Sequence, residues 1–202
     1  MMRDAVVIRD VEVMRHAARI RAAVFLDRDG VINRAVVRER HAGAPRCLAE
    51  LELLPGVRAA LRALKGAGYR LVVVTNQPDV ARGTARRANV EAINQRLCST
   101  LPLDAVFMCS HDDRDRCLCR KPKPGLLARA ARELHIDCTA SYMVGDRWHD
   151  IEAGRRAGCR TLLVDHGYTE PQPAVAARAE ADFRVGSLLE AARIILGREV
   201  TT

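Results

Sequence analysis

The chain has 202 residues, 49% of them apolar and only 3% aromatic, enough for one ordinary domain whose core is built from Leu, Val, Ile and Ala. No apolar run approaches the roughly 20 residues a membrane helix needs. Residues 1–21 mix Arg with Asp4, Asp10 and Glu12 and lack a long apolar stretch, which argues against a signal or transit peptide, so a cytosolic protein with no membrane partner is expected. The formal charge of +8 is as readily a composition bias as a draw for anions, and the absence of a Lys/Arg block interleaved with aromatics argues against a nucleic-acid partner.

Residues 1–21 read as an N-terminal extension, either an added strand or a segment ahead of a start nearer Met14, followed by a single domain over 22–202. Within it, residues 22–27 (AAVFLD) read as a buried strand. Residues 53–65 read as a helix with Pro55 near its start and Gly66 and Gly68 behind it. A second strand is expected at 69–75, a helix at 85–97, a third strand at 105–110 and a helix at 124–134 with Pro in its first turn. Strands at 141–146 and 161–165 and a closing helix at 187–196 complete the pattern. Continuous apolar strands alternating with helices mean β-α-β units: an α/β Rossmann-like three-layer sandwich with a mostly parallel central sheet covered on both faces.

Three of the predicted strands end in polar groups, Asp27, Thr75 and Asp146. The carboxyl edge of an open α/β sheet is where ligands bind. Asp27 and Asp29, two residues apart in Asp27-Arg28-Asp29-Gly30, can share one cation. Asp27 can hold Mg²⁺ with one oxygen and attack phosphorus with the other, while Asp29 can protonate the leaving oxygen and then activate water. Thr75-Asn76-Gln77 can offer a hydroxyl and backbone N–H groups to phosphoryl oxygens. In Arg120-Lys121-Pro122-Lys123-Pro124, Lys121 is a point charge for phosphoryl oxygens and Arg120 a bidentate phosphate ligand. Asp146, in Gly145-Asp146-Arg147-Trp148-His149-Asp150, is the remaining carboxylate for Mg²⁺, and Asp150 holds the loop, a metal-bound water or the next helix's first turn. Arg28, Asn76, Gln77, Arg120 and Arg147 are the candidate substrate-binding residues. Each segment alone has a bland reading as a solvated turn or helix lead-in.

Cys109, His111, Cys117 and Cys119 form C-x-H-x5-C-x-C, a donor set suited to tetrahedral Zn²⁺ with no open position, hence a structural role in a loop at 109–119. The loop directly precedes Arg120 and Lys121 and would stiffen them. Cys47, Cys98, Cys138 and Cys159 are scattered and read as incidental thiols. His16, His41, His135, His149 and His166 show no ligand spacing with one another, and Trp148 lies beside the motifs in a packing or lining role.

Taken together, FLDRDGVIN, VVVTNQ, CRKPKPG and YMVGDRWHD, in that order over most of residues 22–165, resemble the haloacid dehalogenase superfamily of phosphohydrolases. The resemblance implies Asp27 as nucleophile and Asp29 as general acid/base. It implies Thr75 and Lys121 as stabilisers of the phosphoryl group, and Asp27, the Asp29 carbonyl and Asp146 as Mg²⁺ ligands. About 48 residues separate Asp27 from Thr75 and about 46 separate Thr75 from Lys121, leaving no room for a large cap domain. With its zinc loop, the chain resembles more narrowly the D-glycero-D-manno-heptose 1,7-bisphosphate phosphatase family, and next to it the histidinol-phosphate phosphatases. That implies removal of one phosphate from a small phosphorylated metabolite, a heptose bisphosphate or a closely related sugar bisphosphate, with Arg120 recognising the distal part of the substrate; a small open-site domain of this kind is expected to be a monomer. The chain departs from the family at 34–41, where a His-Gly-Tyr type loop is usual, at Pro78-Asp79 in place of Ser-Gly, and in its short zinc loop. A polynucleotide 3′-phosphatase and a catalytically silent zinc-bearing binding module are the competing readings.

Overall fold

A computed structural model describes residues 6–8, 21–38, 41–167 and 180–197; Met14 and His16 lie outside these. Seven strands form one sheet: β1 (Val6–Ile8), β2 (Ala23–Leu26), β5 (Arg70–Asn76), β6 (Ala105–Cys109), β7 (Tyr142–Gly145), β8 (Arg160–Val164) and β9 (Phe183–Val185). Two more, β3 (Val36–Arg38) and β4 (His41–Gly43), form a separate antiparallel hairpin. The helices are α1 (Val57–Gly66), α2 (Arg87–Thr100), α3 (Gly125–Leu134), α4 (Trp148–Ala157) and α5 (Leu188–Ile195).

Alternation of side chains along each strand explains the three layers. Val24 and Leu26 of β2, Leu71 and Val73 of β5 and Val106 of β6 face α1, α2 and α5, meeting Leu61, Leu64, Ile93, Leu97 and Ile195. Ala23 and Phe25, Val72 and Val74, and Ala105 and Phe107 face the other way, onto Leu126, Leu127 and Leu134 of α3 and Ala153 of α4. Every residue of β2 is buried, because both faces of a parallel sheet are covered by crossover helices. The continuous apolar runs in the sequence therefore mark central strands.

The sheet order is β1-β6-β5-β2-β7-β8-β9. All neighbours are parallel except β1, which pairs antiparallel with β6 through Val6↔Phe107 and Ile8↔Ala105. Val6–Ile8, within the first 21 residues, thus forms an antiparallel edge strand of this sheet. From β2 the chain builds outward through β5 and β6, then crosses back and builds the other way from β7. The switch point lies between β2 and its two neighbours, where a crevice opens at the strands' carboxyl ends.

Two expectations shift. The first helix begins at Val57, not at 53, because Leu53 bridges to Asn33 and the Leu54 N–H donates to the Ile32 carbonyl at 3.0 Å, keeping that stretch extended. The β3–β4 hairpin and β9 had no signal in the sequence: β3 is only partly buried and exposes Val37, and β9 buries only Val185, so neither shows an apolar period. No helix among the described residues is long and apolar enough to cross a membrane.

Candidate active site

Asp27 follows β2, and its N–H donates to the Val144 carbonyl of β7 at 2.9 Å, fixing it over the switch point. Lys121 reaches the same place from the loop before α3. Its Nζ donates to Asp27 Oδ1 at 2.8 Å and to the Val74 carbonyl at 2.7 Å, and pairs with Asp150 Oδ1 at 2.5 Å. The Lys121 side chain is 2% exposed and that of Asp27 12%. The backbone of Lys121 is held too: Asn76 Oδ1 accepts its N–H at 3.1 Å, and Asn76 Nδ2 donates to its carbonyl at 3.0 Å. Asn76 therefore locks the lysine to the end of β5.

This packing sets the electrostatics. Burial pushes the Asp27 carboxyl up to about 6; Lys121 pulls it back, and Asp150 and Asp29 push it further up. Burial pulls Lys121 down, but Asp150 and Asp27 outweigh it and hold the ammonium above its ordinary range. Asp146, buried beside Asp27 and Asp150, is raised well above the carboxylate range, chiefly by desolvation. Two glycines make these contacts possible. A Cβ on Gly30, whose φ is +87°, would lie 2.1 Å from Asp146 Oδ2, and one on Gly145 would lie 2.0 Å from the Asp150 Cβ.

Asp29 is cradled by three side chains. Arg28 donates through Nε to its Oδ1 and through Nη2 to its Oδ2, both at 3.1 Å. Asn33 Nδ2 donates to Oδ1 at 2.9 Å and Gln77 Nε2 to Oδ2 at 2.7 Å. Gln77 also donates to Thr75 Oγ1 at 2.9 Å, and Thr75 is fully buried. The placement of Arg28 corrects an expectation. Its side chain is 0% exposed, and its Nη1 donates to Asn94 Oδ1 of α2 at 2.8 Å. It lies against Asp29 and is not part of the cleft lining, a place from which it can orient that carboxylate. Asn33, Asn94 and Asp150 are the positioning groups that motif reading left out or undecided. Asn94 lies mid-helix with no local signal, whereas Asp150 is visible in its motif and only its contact with Lys121 decides among its readings.

One carboxylate oxygen each from Asp27, Asp146 and Asp150 lie within 4.8 Å of one another, and Asp146 Oδ1 is a buried oxygen with no hydrogen-bond partner. An orphaned buried acceptor among hard oxygen donors fits Mg²⁺. A second donor set is formed by Cys109, at the end of β6, with His111, Cys117 and Cys119. The Cys119 sulfur lies 3.2 Å from that of Cys109, 3.4 Å from that of Cys117 and 3.3 Å from His111 Nδ1, and Cys109 and Cys117 are 3.7 Å apart. Such spacings are close to the edges of a tetrahedron drawn around one Zn²⁺. Lys123 Nζ donates to the Cys117 carbonyl at 2.6 Å, tying this knuckle to the segment that carries Lys121.

A cleft of about 540 Å³ opens over Asp27 and Asp29. Its lining includes Asn76, Gln77, Arg120, Lys121 and Arg147 from the motifs, together with Arg38 and Arg46 from the hairpin region and Asp79 and Arg82 from the loop after β5. Arg147 Nε lies 3.9 Å from Asp146 Oδ2.

A HAD-hydrolase-like family model matches residues 118–191. The D-glycero-β-D-manno-heptose-1,7-bisphosphate 7-phosphatase of Salmonella typhi is 40% identical over 183 residues, spanning 83% of this chain and 92% of its own. The chain belongs to this phosphatase family, within the HAD-like hydrolases. The enzyme of the same description from Escherichia coli K12 is 39% identical over 156 residues, 70% of this chain and 78% of its own. Among solved structures, the D,D-heptose 1,7-bisphosphate phosphatase of B. bronchiseptica, complexed with magnesium and phosphate, superposes with a TM-score of 0.72 at 30% identity. It covers 87% of this chain and 98% of that one. Family membership accounts for the order of the four motifs and for the parallel sheet beneath them.

Proposed function

We propose that this chain, as a single phosphatase domain over 22–202, removes the C7 phosphate from D-glycero-β-D-manno-heptose 1,7-bisphosphate through an aspartyl-phosphate on Asp27. The observation that carries the reading is the meeting of Asp27, Lys121 and Asp146 at one strand-end switch point, in a chain of this family.

In this reading a carboxylate oxygen of Asp27 attacks the C7 phosphorus, and the bond from phosphorus to the sugar oxygen breaks. Asp29 gives its proton to the departing sugar oxygen, becoming a carboxylate. It then takes a proton from water, which attacks the aspartyl-phosphate, releases inorganic phosphate and restores Asp27. Lys121 neutralises the buried phosphoryl oxygens from the position in which it pairs with Asp27 and Asp150. Thr75 and Gln77 border the Asp29 cradle and keep donors on that side. When bound, Mg²⁺ supplies charge neutralisation for nucleophile and phosphate; Asp27, the Asp29 carbonyl and Asp146 would hold it. Zn²⁺ on the four-donor knuckle would be structural. The seven cysteines, none of them in a disulfide, suit a reducing cytoplasm.

The test is Mg²⁺-dependent phosphate release over both anomers of the heptose 1,7-bisphosphate, histidinol phosphate and a 3′-phosphorylated oligonucleotide, with Asp27→Asn as control. Highest turnover on the β-anomer, abolished in the control, is expected. Faster turnover of histidinol phosphate or of the oligonucleotide moves the substrate while keeping the chemistry. Turnover that survives Asp27→Asn overturns the mechanism.

A further inference from the structure

Cys138 and Cys159 lie apart in the sequence and take no part in the zinc knuckle, yet the fold brings their sulfurs into contact. Both are thiols, and the Cys159 S–H donates to Cys138 Sγ. Cys159 is 6% exposed, within the core cluster that includes Met143 and Ala153, and Cys138 is partly buried against the same cluster.

Both backbones are held. Cys138 belongs to the turn between α3 and β7. In that turn the Asp137 N–H donates to the Arg21 carbonyl at 3.0 Å, and Asp137 Oδ1 accepts from the Thr139 N–H at 2.8 Å and from its hydroxyl at 2.7 Å. The Cys138 carbonyl accepts from the Ser141 N–H at 3.1 Å, and Ser141 Oγ accepts from the Ala23 N–H of β2 at 2.9 Å. Cys159 belongs to the turn between α4 and β8. Its N–H donates to the Gly154 carbonyl at 3.0 Å, and the next N–H, that of Arg160, donates to the Ser141 carbonyl at 3.0 Å. This last bond and the parallel pairing of Tyr142 with Arg160 tie the two turns together. They pack closely beside the pair, since a Cβ on Gly158 would lie 3.8 Å from Thr139 Cγ2. Two cysteines whose sulfurs touch, on backbones bonded to each other, meet the proximity that a disulfide requires.

The two thiols are not equivalent. The hydrogen bond from Cys159 holds the Cys138 thiol below its ordinary range, while the same bond and burial push the Cys159 thiol up. Cys138 is also the more exposed of the two. The reachable sulfur therefore has the greater thiolate character, and the covered one waits beside it, the arrangement of an attacking and a resolving cysteine.

We propose that Cys138 and Cys159 form an oxidative modification site: a hydroperoxide such as hydrogen peroxide converts the pair into a disulfide that staples the α3–β7 turn to the α4–β8 turn. The Cys138 thiolate attacks one peroxide oxygen, the O–O bond breaks, and Cys138 becomes a sulfenic acid. The hydroxide that leaves takes up the proton Cys138 released. The Cys159 sulfur then attacks the sulfenic sulfur, so that the S–S bond forms and the S–O bond breaks. The second hydroxide departs as water with the Cys159 proton. Two thiols and one peroxide thus give one disulfide and two waters, and the two electrons lost by sulfur reduce the peroxide. The bridge closes the 138–159 segment, which contains β7, Asp146, Asp150 and α4. It lies at the amino ends of β7 and β8, away from the carboxyl ends where Asp146 and the cleft lie. Oxidation therefore leaves the reacting groups in place and makes the β-α unit that carries two of their carboxylates harder to unfold.

The test treats the zinc-loaded protein with near-stoichiometric hydrogen peroxide. Elemental analysis follows the zinc, and differential alkylation with non-reducing peptide mass spectrometry maps the cysteines. The expected result is a Cys138–Cys159 bridge that forms before zinc is lost, a melting temperature raised by about 5–10 °C, and reversal of both by dithiothreitol. In Cys159→Ser, peroxide should leave a Cys138 sulfenic acid that dimedone traps. In Cys138→Ser, Cys159 should stay unmodified, and neither variant should melt higher after peroxide. Melts of the reduced variants establish that they are folded. Oxidation of the zinc-knuckle cysteines ahead of the pair, a parent protein that forms no 138–159 bridge, a bridge that leaves the melting temperature unchanged, or dimedone trapping at Cys159 in preference to Cys138 overturns the proposal.

Discussion

The floor and the walls of the cleft are built on different terms. At the floor, Asp27, Lys121 and Asp150 sit at or near the ends of central strands, buried and bonded to one another or to the sheet backbone, with the buried side chain of Asp146 beside them. At the walls, Arg46, Arg82 and Arg120 are partly exposed and paired with carboxylates that range from partly covered, Asp79 and Asp112, to exposed, Asp113. Charges held in a low-dielectric floor are preorganised for phosphoryl transfer. Charges on solvated walls can exchange one anion for another at little cost. The difference teaches that chemistry here belongs to the sheet and substrate choice to the loops, as expected of a site without a large cap.

The floor breaks first and most severely. Asp27→Asn removes the proposed nucleophile, and phosphate release should fall by at least about 10³-fold. Lys121→Met should do as much and also destabilise the fold by about 3–5 kcal/mol in a denaturant titration, because Asp27 and Asp150 would be left buried without their counter-charge. A melt that does not move would detach Lys121 from the buried network.

The knuckle comes next. Elemental analysis should find one zinc per chain. Cys119→Ser should lose it, melt several degrees lower and slow turnover about tenfold, as the segment leading to Lys121 loosens. Full activity in zinc-free protein would show that the wall does not stiffen the floor. Gly30→Ala is the sharper probe of the metal pocket: its Cβ would overlap Asp146 Oδ2, and Mg²⁺ affinity should drop about tenfold, read as a shifted Mg²⁺ activation curve.

The pH dependence follows from Asp27, whose carboxyl lies near 6 in the metal-free protein instead of at 3.8. The folded state holds this proton more tightly than the unfolded one. Its contribution to metal-free stability is therefore present below about 3.8 and lost as pH rises through about 6. Mg²⁺ needs the carboxylate, so its affinity should fall as pH drops through about 6, with more protons released per metal at pH 5.5 than at 7.5. Calorimetry in buffers of differing ionisation enthalpy reads this directly, and proton release independent of pH would overturn it. The smallest effect is expected at the wall: Glu50→Ala, which frees both Arg38 and the Arg46 backbone, should raise KM for the bisphosphate about threefold and change kcat by less than twofold.

The sequence by itself determined a good deal. Apolar runs alternating with helical periods specify parallel β-α-β units, because a strand covered on both faces has no polar side. Asp27, Thr75 and Asp146 were legible at strand ends because the apolar run stops there. The four donors between 109 and 119 were legible because a metal knuckle is local in the chain. What only the tertiary structure decided is long-range. Strand order places the switch point beside β2. The packing of α2 turns Arg28 inward onto Asn94 and Asp29. A contact from the first turn of α4 puts Asp150 on Lys121, and the backbone of Arg46, beside the cleft, is clamped by Glu50 and Asn89. Local periodicity reports which face of an element is apolar; the direction and partner of a charged side chain depend on segments far away in sequence, and those are set when the layers close.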